Sequence, residues 1–205
     1  MNRLIVILCL VCASLSLSAQ KKFYFGLKAG LNLSTLKPDN VTKESLKTGF
    51  MGGAFFKIRP IKEFAIQPEF LWVNKGSEIT WDAPNQPGGK FALNMDYVDV
   101  PVLAVVHFSE KFDVHVGPQF SYLVNFSVMN LEESGYDFEG NIDQRDYKPY
   151  DFAGVAGAEI TLKKVQIGAR YNAGLIDLQK SDSGSEIELT KPKNASTQIY
   201  LGLIF

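Results

Sequence analysis

The stretch KFYFGLKAGLNLS at residues 22–34 alternates without a break: Phe23, Phe25, Leu27, Ala29, Leu31 and Leu33 against Tyr24, Gly26, Lys28, Gly30, Asn32 and Ser34. A period of two belongs to a strand with two unlike faces; in a helix these residues would be scattered around the axis. The alternation lasts twelve residues, whereas strands of soluble domains commonly run about five or six. A tilted strand crossing a bilayer needs about nine to eleven. In hydrocarbon such strands satisfy their backbone groups only by closing into a barrel.

The pattern recurs seven more times. Phe50, Gly52, Ala54, Phe56 and Ile58 alternate with Met51, Gly53, Phe55 and Lys57, and Phe64, Ile66, Pro68, Phe70 and Trp72 with Gln67, Glu69, Leu71 and Val73. Val98, Val100, Val102, Ala104, Val106 and Phe108 oppose Asp99 and His107. Phe112, Val114, Val116, Phe120, Tyr122, Val124 and Phe126 oppose Asp113, His115, Gln119 and Asn125. Phe152, Ala156, Ala158, Ile160 and Leu162 oppose Asp151, Glu159 and Thr161. Val165, Ile167, Ala169, Tyr171 and Leu175 oppose Gln166, Arg170 and Asn172, and Ile199, Leu201, Leu203 and Phe205 oppose Gln198, Tyr200 and Gly202.

The links between these stretches alternate in length. Short ones fall around Arg59–Glu63, Ser109–Lys111 and Lys163–Lys164; long polar ones fall at about 35–47, 77–94, 127–150 and 177–194. Short periplasmic turns and longer extracellular loops are the asymmetry of a bacterial outer-membrane barrel. The expected fold is therefore all-β: an eight-stranded antiparallel transmembrane β-barrel with four longer extracellular loops. Arg3, the apolar run Leu4–Leu17 and the small exit Ser18-Ala19 read as a secretory signal peptide over 1–19, cleaved after Ala19 or Gln20, with the barrel domain at 20–205. Cys9 and Cys12 both lie in that segment, so the mature chain is expected to have no thiol chemistry. A formal net charge of −1 argues against a nucleic-acid-binding face, and 17 Gly with 15 Phe favour strands over helices.

The polar rows decide which face meets lipid. Lys28, Lys57, Glu69, Asp99, Asp151, Glu159 and Arg170 all fall opposite the apolar rows. An eight-stranded lumen is just wide enough for side chains to fill, and charges buried there must pair. These seven are expected to form a lumen charge network, with Glu69, Asp99 and Arg170 at its centre, while Phe, Val and Leu face hydrocarbon. A lipocalin-like soluble barrel needs the same rows turned inside out and would then show many glycines and few charges to water. Tyr24, Trp72, Trp81, Tyr97, Tyr122 and Tyr171, near strand ends, fit aromatic girdles at the interfaces.

Several segments together resemble the small outer-membrane β-barrel proteins of Bacteroidetes, the PorT or porin-family type, with a barrel of the OmpA/OmpX kind. They are FGLKAGLNLS, IQPEFLWVNKG, YVDVPVLAVV, DFAGVAGAEI, GARYNAGLIDL and the closing QIYLGLIF, in that order across the mature chain. The family pattern has Lys-Tyr near the end of the fourth strand, where this chain has Val105-Val106-His107, so that lysine's role is not carried over. The resemblance implies an integral protein of the cell outer membrane in a Gram-negative cell, in contact with outer-membrane lipid.

Little in the sequence speaks for catalysis. His107 is expected to face Asp113 across the Ser109–Lys111 turn, both inward, and such a pair can orient a base. No serine sits in a nucleophile motif, so the pair reads as a hydrogen-bonded filling of the barrel floor. In the third loop Asp137, Glu139, Asn141 and Asp143 alternate like calcium ligands, but Ile142 stands where the loop needs Gly and Lys148 where it needs Glu. No cofactor and no metal are expected. Tyr200, Leu201, Leu203 and Phe205 resemble the C-terminal signal read by the outer-membrane assembly machinery. The leading expectation is a monomeric barrel with a plugged, charged lumen, acting structurally or on an unspecified protein or ligand through its external loops. A small porin-like channel is the alternative, and an outer-leaflet lipid-modifying enzyme the third reading.

Overall fold

In the computed structural model, which describes residues 22–37, 44–83, 86–130, 147–178 and 193–205, nearly every described residue is strand. The strands are β1 (Lys22–Lys37), β2 (Glu44–Ser45), β3 (Lys47–Ile61), β4 (Phe64–Ala83), β5 (Gln86–His107), β6 (Phe112–Asn130), β7 (Tyr150–Leu162), β8 (Val165–Gly174) and β9 (Lys193–Ile204). Eight pair antiparallel in the order β4-β3-β1-β9-β8-β7-β6-β5, a β4–β5 ladder closes the ring, and the two-residue β2 adds to β4. The expected seam holds: β9 pairs with β1 from Gly26↔Ile204 to Lys37↔Lys193. The signal-peptide segment and the calcium-like run 137–143 lie outside the described residues.

Burial follows the period of two. On β8, Gln166, Gly168, Arg170 and Asn172 are buried while Val165, Ile167, Ala169 and Tyr171 are exposed. Around the whole ring the exposed rows are Phe, Leu, Ile and Val, and the buried rows hold the charges. This is the polarity of a barrel standing in hydrocarbon, and the soluble, inside-out reading is excluded by it. Phenylalanines gather at the short-turn end: Phe25 packs against Phe56 and Phe205 at centroid distances of 5.2 and 6.0 Å, and Phe108 against Phe112 at 6.3 Å. Trp72, Tyr122, Tyr150 and Tyr171 are exposed towards the opposite end.

The structure departs from the sequence reading in three places. The stretch 77–94 is not a polar loop. The β4–β5 ladder continues through Ser77↔Leu93 to Trp81↔Gly89, because Leu93 and Met95 keep the inward row apolar and give the hairpin a core to pack on. Second, an extra residue on β6 shifts its phase: Asp96 pairs with Asn125 but Tyr97 with Leu123. Val124 and Asn125 are therefore both exposed, and Phe126 turns inward against Tyr147 at 5.1 Å; Val124 keeps its expected face, while Asn125 and Phe126 lie opposite to the strict alternation. Third, Tyr97 belongs to no girdle; it is buried with Leu36, Leu93, Met95, Leu123, Tyr147 and Leu178 in an apolar cluster towards the long-loop end of the lumen. Tyr24 lines the opposite mouth, and the Trp81 side chain lies outside the described residues.

One backbone position constrains the upper barrel. Gly76 has φ 145°, and a Cβ placed there would sit 1.8 Å from the Leu93 carbonyl oxygen, an atom held in the β4–β5 ladder. Gly76→Ala is expected to destabilise the barrel by about 1–3 kcal/mol, read as a lower midpoint of urea unfolding in lipid. An unchanged midpoint would show that the strand relaxes freely at this point.

Candidate functional site

Among the described residues the lumen is where polar chemistry is concentrated out of water, and it is built in tiers. Inward positions of β1, β4, β8 and β9 make the middle tier. Lys28 donates to Glu69 Oε1 at 2.7 Å, and Arg170 Nη1 to Glu69 Oε2 at 2.7 Å. Gln67 donates to Glu69 Oε1 at 2.7 Å, so both oxygens of this carboxylate are engaged. Arg170 Nε donates to Gln198 at 2.6 Å, and Gln198 donates to Asn32 at 3.1 Å. The Lys28 ammonium also stands over the Tyr200 ring at 4.2 Å. The side chains of Lys28, Glu69 and Arg170 are 0% exposed.

Below it, towards the short turns, Lys57 bridges Asp113 at 3.3 Å and Glu159 at 2.9 Å. Glu159 also accepts from Gln166 at 2.7 Å and from the Tyr200 hydroxyl at 3.0 Å. His107 Nδ1 lies 2.5 Å from Asp113 Oδ1. Above, Lys75 donates to Asp99 at 2.9 Å and to Ser121 at 3.3 Å, while Gln119 donates to Asp99 Oδ2 at 2.9 Å. Higher still, Asn194 donates to Asp151 Oδ2 at 2.8 Å, and the apolar cluster around Tyr97 and Leu93 closes that end.

Among the described buried residues the charges balance: Lys28, Lys47, Lys57, Lys75 and Arg170 against Glu69, Asp99, Asp113, Asp151 and Glu159. The described part of the lumen therefore carries no net charge that would favour ions of one sign over the other. Pairing keeps each ion tolerable in low dielectric, whereas one left alone would be costly. Among the described residues no group of three or more His, Cys, Asp or Glu is arranged to hold a metal.

All seven charges read from the sequence do face the lumen, but they do not form a single cluster. Lys28, Glu69 and Arg170 meet; Lys57 and Glu159 meet lower down. Asp99 is held by Lys75 and Gln119, not by Arg170, and Asp151 by an asparagine. His107 and Asp113 pair as expected and share Asp113 with Lys57. Lys75 also belongs to the lumen: the row expected from Gln67 stops at Val73, but continuing the alternation from Glu69 through Leu71 and Val73 places Lys75 inward. The amides Gln67, Gln119, Gln166 and Gln198, all buried, carry the same signal of parity but no charge to draw notice. Of the C-terminal residues, Tyr200 is buried against the lower and middle tiers while Leu201, Leu203 and Phe205 are exposed.

Residues 18–180 match the family described as outer membrane protein beta-barrel domain. Similar solved structures include Ail, the attachment invasion locus protein of Yersinia pestis, at 11% identity and TM-score 0.47, covering 90% of this chain and 99% of that chain. Neisserial surface protein A is similar at 12% identity and TM-score 0.45, over 91% of this chain and all (100%) of that chain. The outer membrane protein OprG of Pseudomonas aeruginosa is similar at 14% identity and TM-score 0.41, over 91% and 98%. A comparison with curated protein sequences returns no match.

Proposed function

The chain belongs to the family of outer membrane protein beta-barrel domains and resides in the outer membrane, and from that premise we propose that it is a non-conducting barrel acting as a structural or interaction protein through its external end. The observation that carries this reading is the middle tier, where Lys28, Glu69 and Arg170 join β1, β4 and β8 across the lumen with no side-chain exposure. The apolar cluster towards the long loops supports it, since an apolar constriction is itself a barrier to ions. A monomer inserted by the outer-membrane assembly machinery through its closing strand fits the same reading, as does membership of the Bacteroidetes PorT-type group.

An enzymatic role has weaker support. His107 and Asp113 are paired, but Ser121, the serine on their face, is occupied by Lys75 and Gln119 in a higher tier. A narrow channel is favoured by one observation: both ring nitrogens of buried His115, Arg170 Nη2 and the Oε1 atoms of Gln67 and Gln119 have no hydrogen-bond partner among the described residues, which invites internal water. Planar-bilayer recording separates the two readings. Purified, reconstituted protein is expected to show no steady conductance; a steady, salt-dependent current would sink the plugged reading in favour of the channel.

A further inference from the structure

The short-turn end of the barrel is concave. The three tight turns and the strand ends around them enclose a vestibule of about 710 Å³, lined by Lys57, Arg59, Lys62, Lys163 and Glu110 among others. Its size is that of a small-molecule site rather than a packing defect. By the length rule for outer-membrane barrels this mouth opens to the periplasm.

Its charge is one-sided. At the vestibule floor both Asp113 oxygens are already taken, Oδ1 by His107 and Oδ2 by Lys57. The Arg59 guanidinium is bonded to the Lys62 carbonyl, a neutral group that leaves its charge uncompensated. The ammonium groups of Lys62 and Lys163 make no ion pair among the described residues, and both residues are exposed. Against these three cations Glu110 is the one lining carboxylate without an ion pair among the described residues, while Glu63, beside Lys62 in the same turn, is exposed and outside the lining. Lys163 holds its place at φ 59°, where glycine would be relaxed. His107, which lines the same wall, has its buried Nε2 without a partner among the described residues. Tyr24, Ser109 and Thr161 add hydroxyls beside the cations.

We propose that this vestibule is a binding site for a small polyanion, a ligand with two or more phosphate or carboxylate groups, held by Arg59, Lys62 and Lys163 over the Lys57–Asp113 floor. Concave walls concentrate the field of the three cations, and the neighbouring hydroxyls supply directed hydrogen bonds. The same oxyanion chemistry arises from a free periplasmic solute or from an anionic lipid headgroup at the rim, where the Phe108 and Phe112 rings lie at the edge of the lipid-facing band.

The test uses the purified chain in phosphatidylcholine nanodiscs, with inorganic pyrophosphate as the probe and calorimetry as the readout. Saturable binding that weakens with added salt is expected. Lys62→Gln combined with Lys163→Gly should weaken it by about tenfold. The second change relaxes the turn, so heat-modifiable migration should be retained. Lys193→Gln, at the opposite end of the barrel, should leave binding unchanged. In phosphatidylglycerol nanodiscs, weaker pyrophosphate binding identifies the lipid headgroup as a competing occupant, and equal binding identifies a free solute; either supports the site. Absence of saturable binding, or equal effects of the paired substitutions and of Lys193→Gln, would overturn the proposal.

Discussion

Glu69→Ala is expected to lower the unfolding free energy of the reconstituted barrel by about 3–5 kcal/mol, the largest effect of any single substitution considered. Glu69 is the only carboxylate bonded to Lys28 and Arg170 among the described residues, and all three side chains are out of water. Removing it leaves two cations facing each other in a low-dielectric lumen, and Gln67 loses its acceptor as well. The aromatic rings of Tyr200 and Phe55 near Lys28 offset only part of that loss. Adding Lys28→Met to Glu69→Ala removes one orphaned charge and should recover part of the lost stability, a coupling that a double-mutant cycle reads directly. Chemical unfolding in lipid vesicles is the measurement. If Glu69→Ala stays within about 0.5 kcal/mol of the parent, the middle tier is hydrated and does not bind the strands together.

Leu201→Arg should destabilise the same barrel by about 2–4 kcal/mol, provided that the exposed rows stand in hydrocarbon. Leu201 is 59% exposed and pairs with Ala29 and Ile167. It lies midway along the outward row that runs from Phe205 to Thr197, and so near the bilayer centre. Leu175→Arg, beyond the end of β8, is the matched comparison and should cost only about 0–1 kcal/mol. In a water-facing barrel both changes would be nearly neutral. Equal effects at the two positions would place the membrane elsewhere on the barrel.

How far the sequence reached differs between the two faces. Every outward row from Phe23 to Phe205 was legible, apart from Phe126, because a strand shows each face at a fixed period and lipid tolerates few exceptions. Phe126 was misassigned because one inserted residue reverses the parity of all that follows, and nothing local to Val124 and Asn125 announces it. The stretch 77–94 reads as a loop for its length and polarity, when the inward Leu93 and Met95 are the better guide. The vestibule had no signal at all: Arg59 and Lys62 come from one turn and Lys163 from another, each of which reads alone as an ordinary solvated link.

Parity and length in the sequence by themselves determined a closed barrel of eight strands, which residues face inward up to the inserted residue of β6, and that the inward set carries the charge. Only the tertiary structure decided who meets whom. Lys57 finds Glu159, 102 residues away, and Arg170 finds Glu69 at a separation of 101. Sliding one strand past its neighbour by two residues keeps every side chain on its face, so alternation is blind to it. The stagger of the closed ring sets the height of each inward side chain, and it is a property of all eight ladders together. That is why Asp99 lies with Lys75 and Glu69 with Lys28 and Arg170.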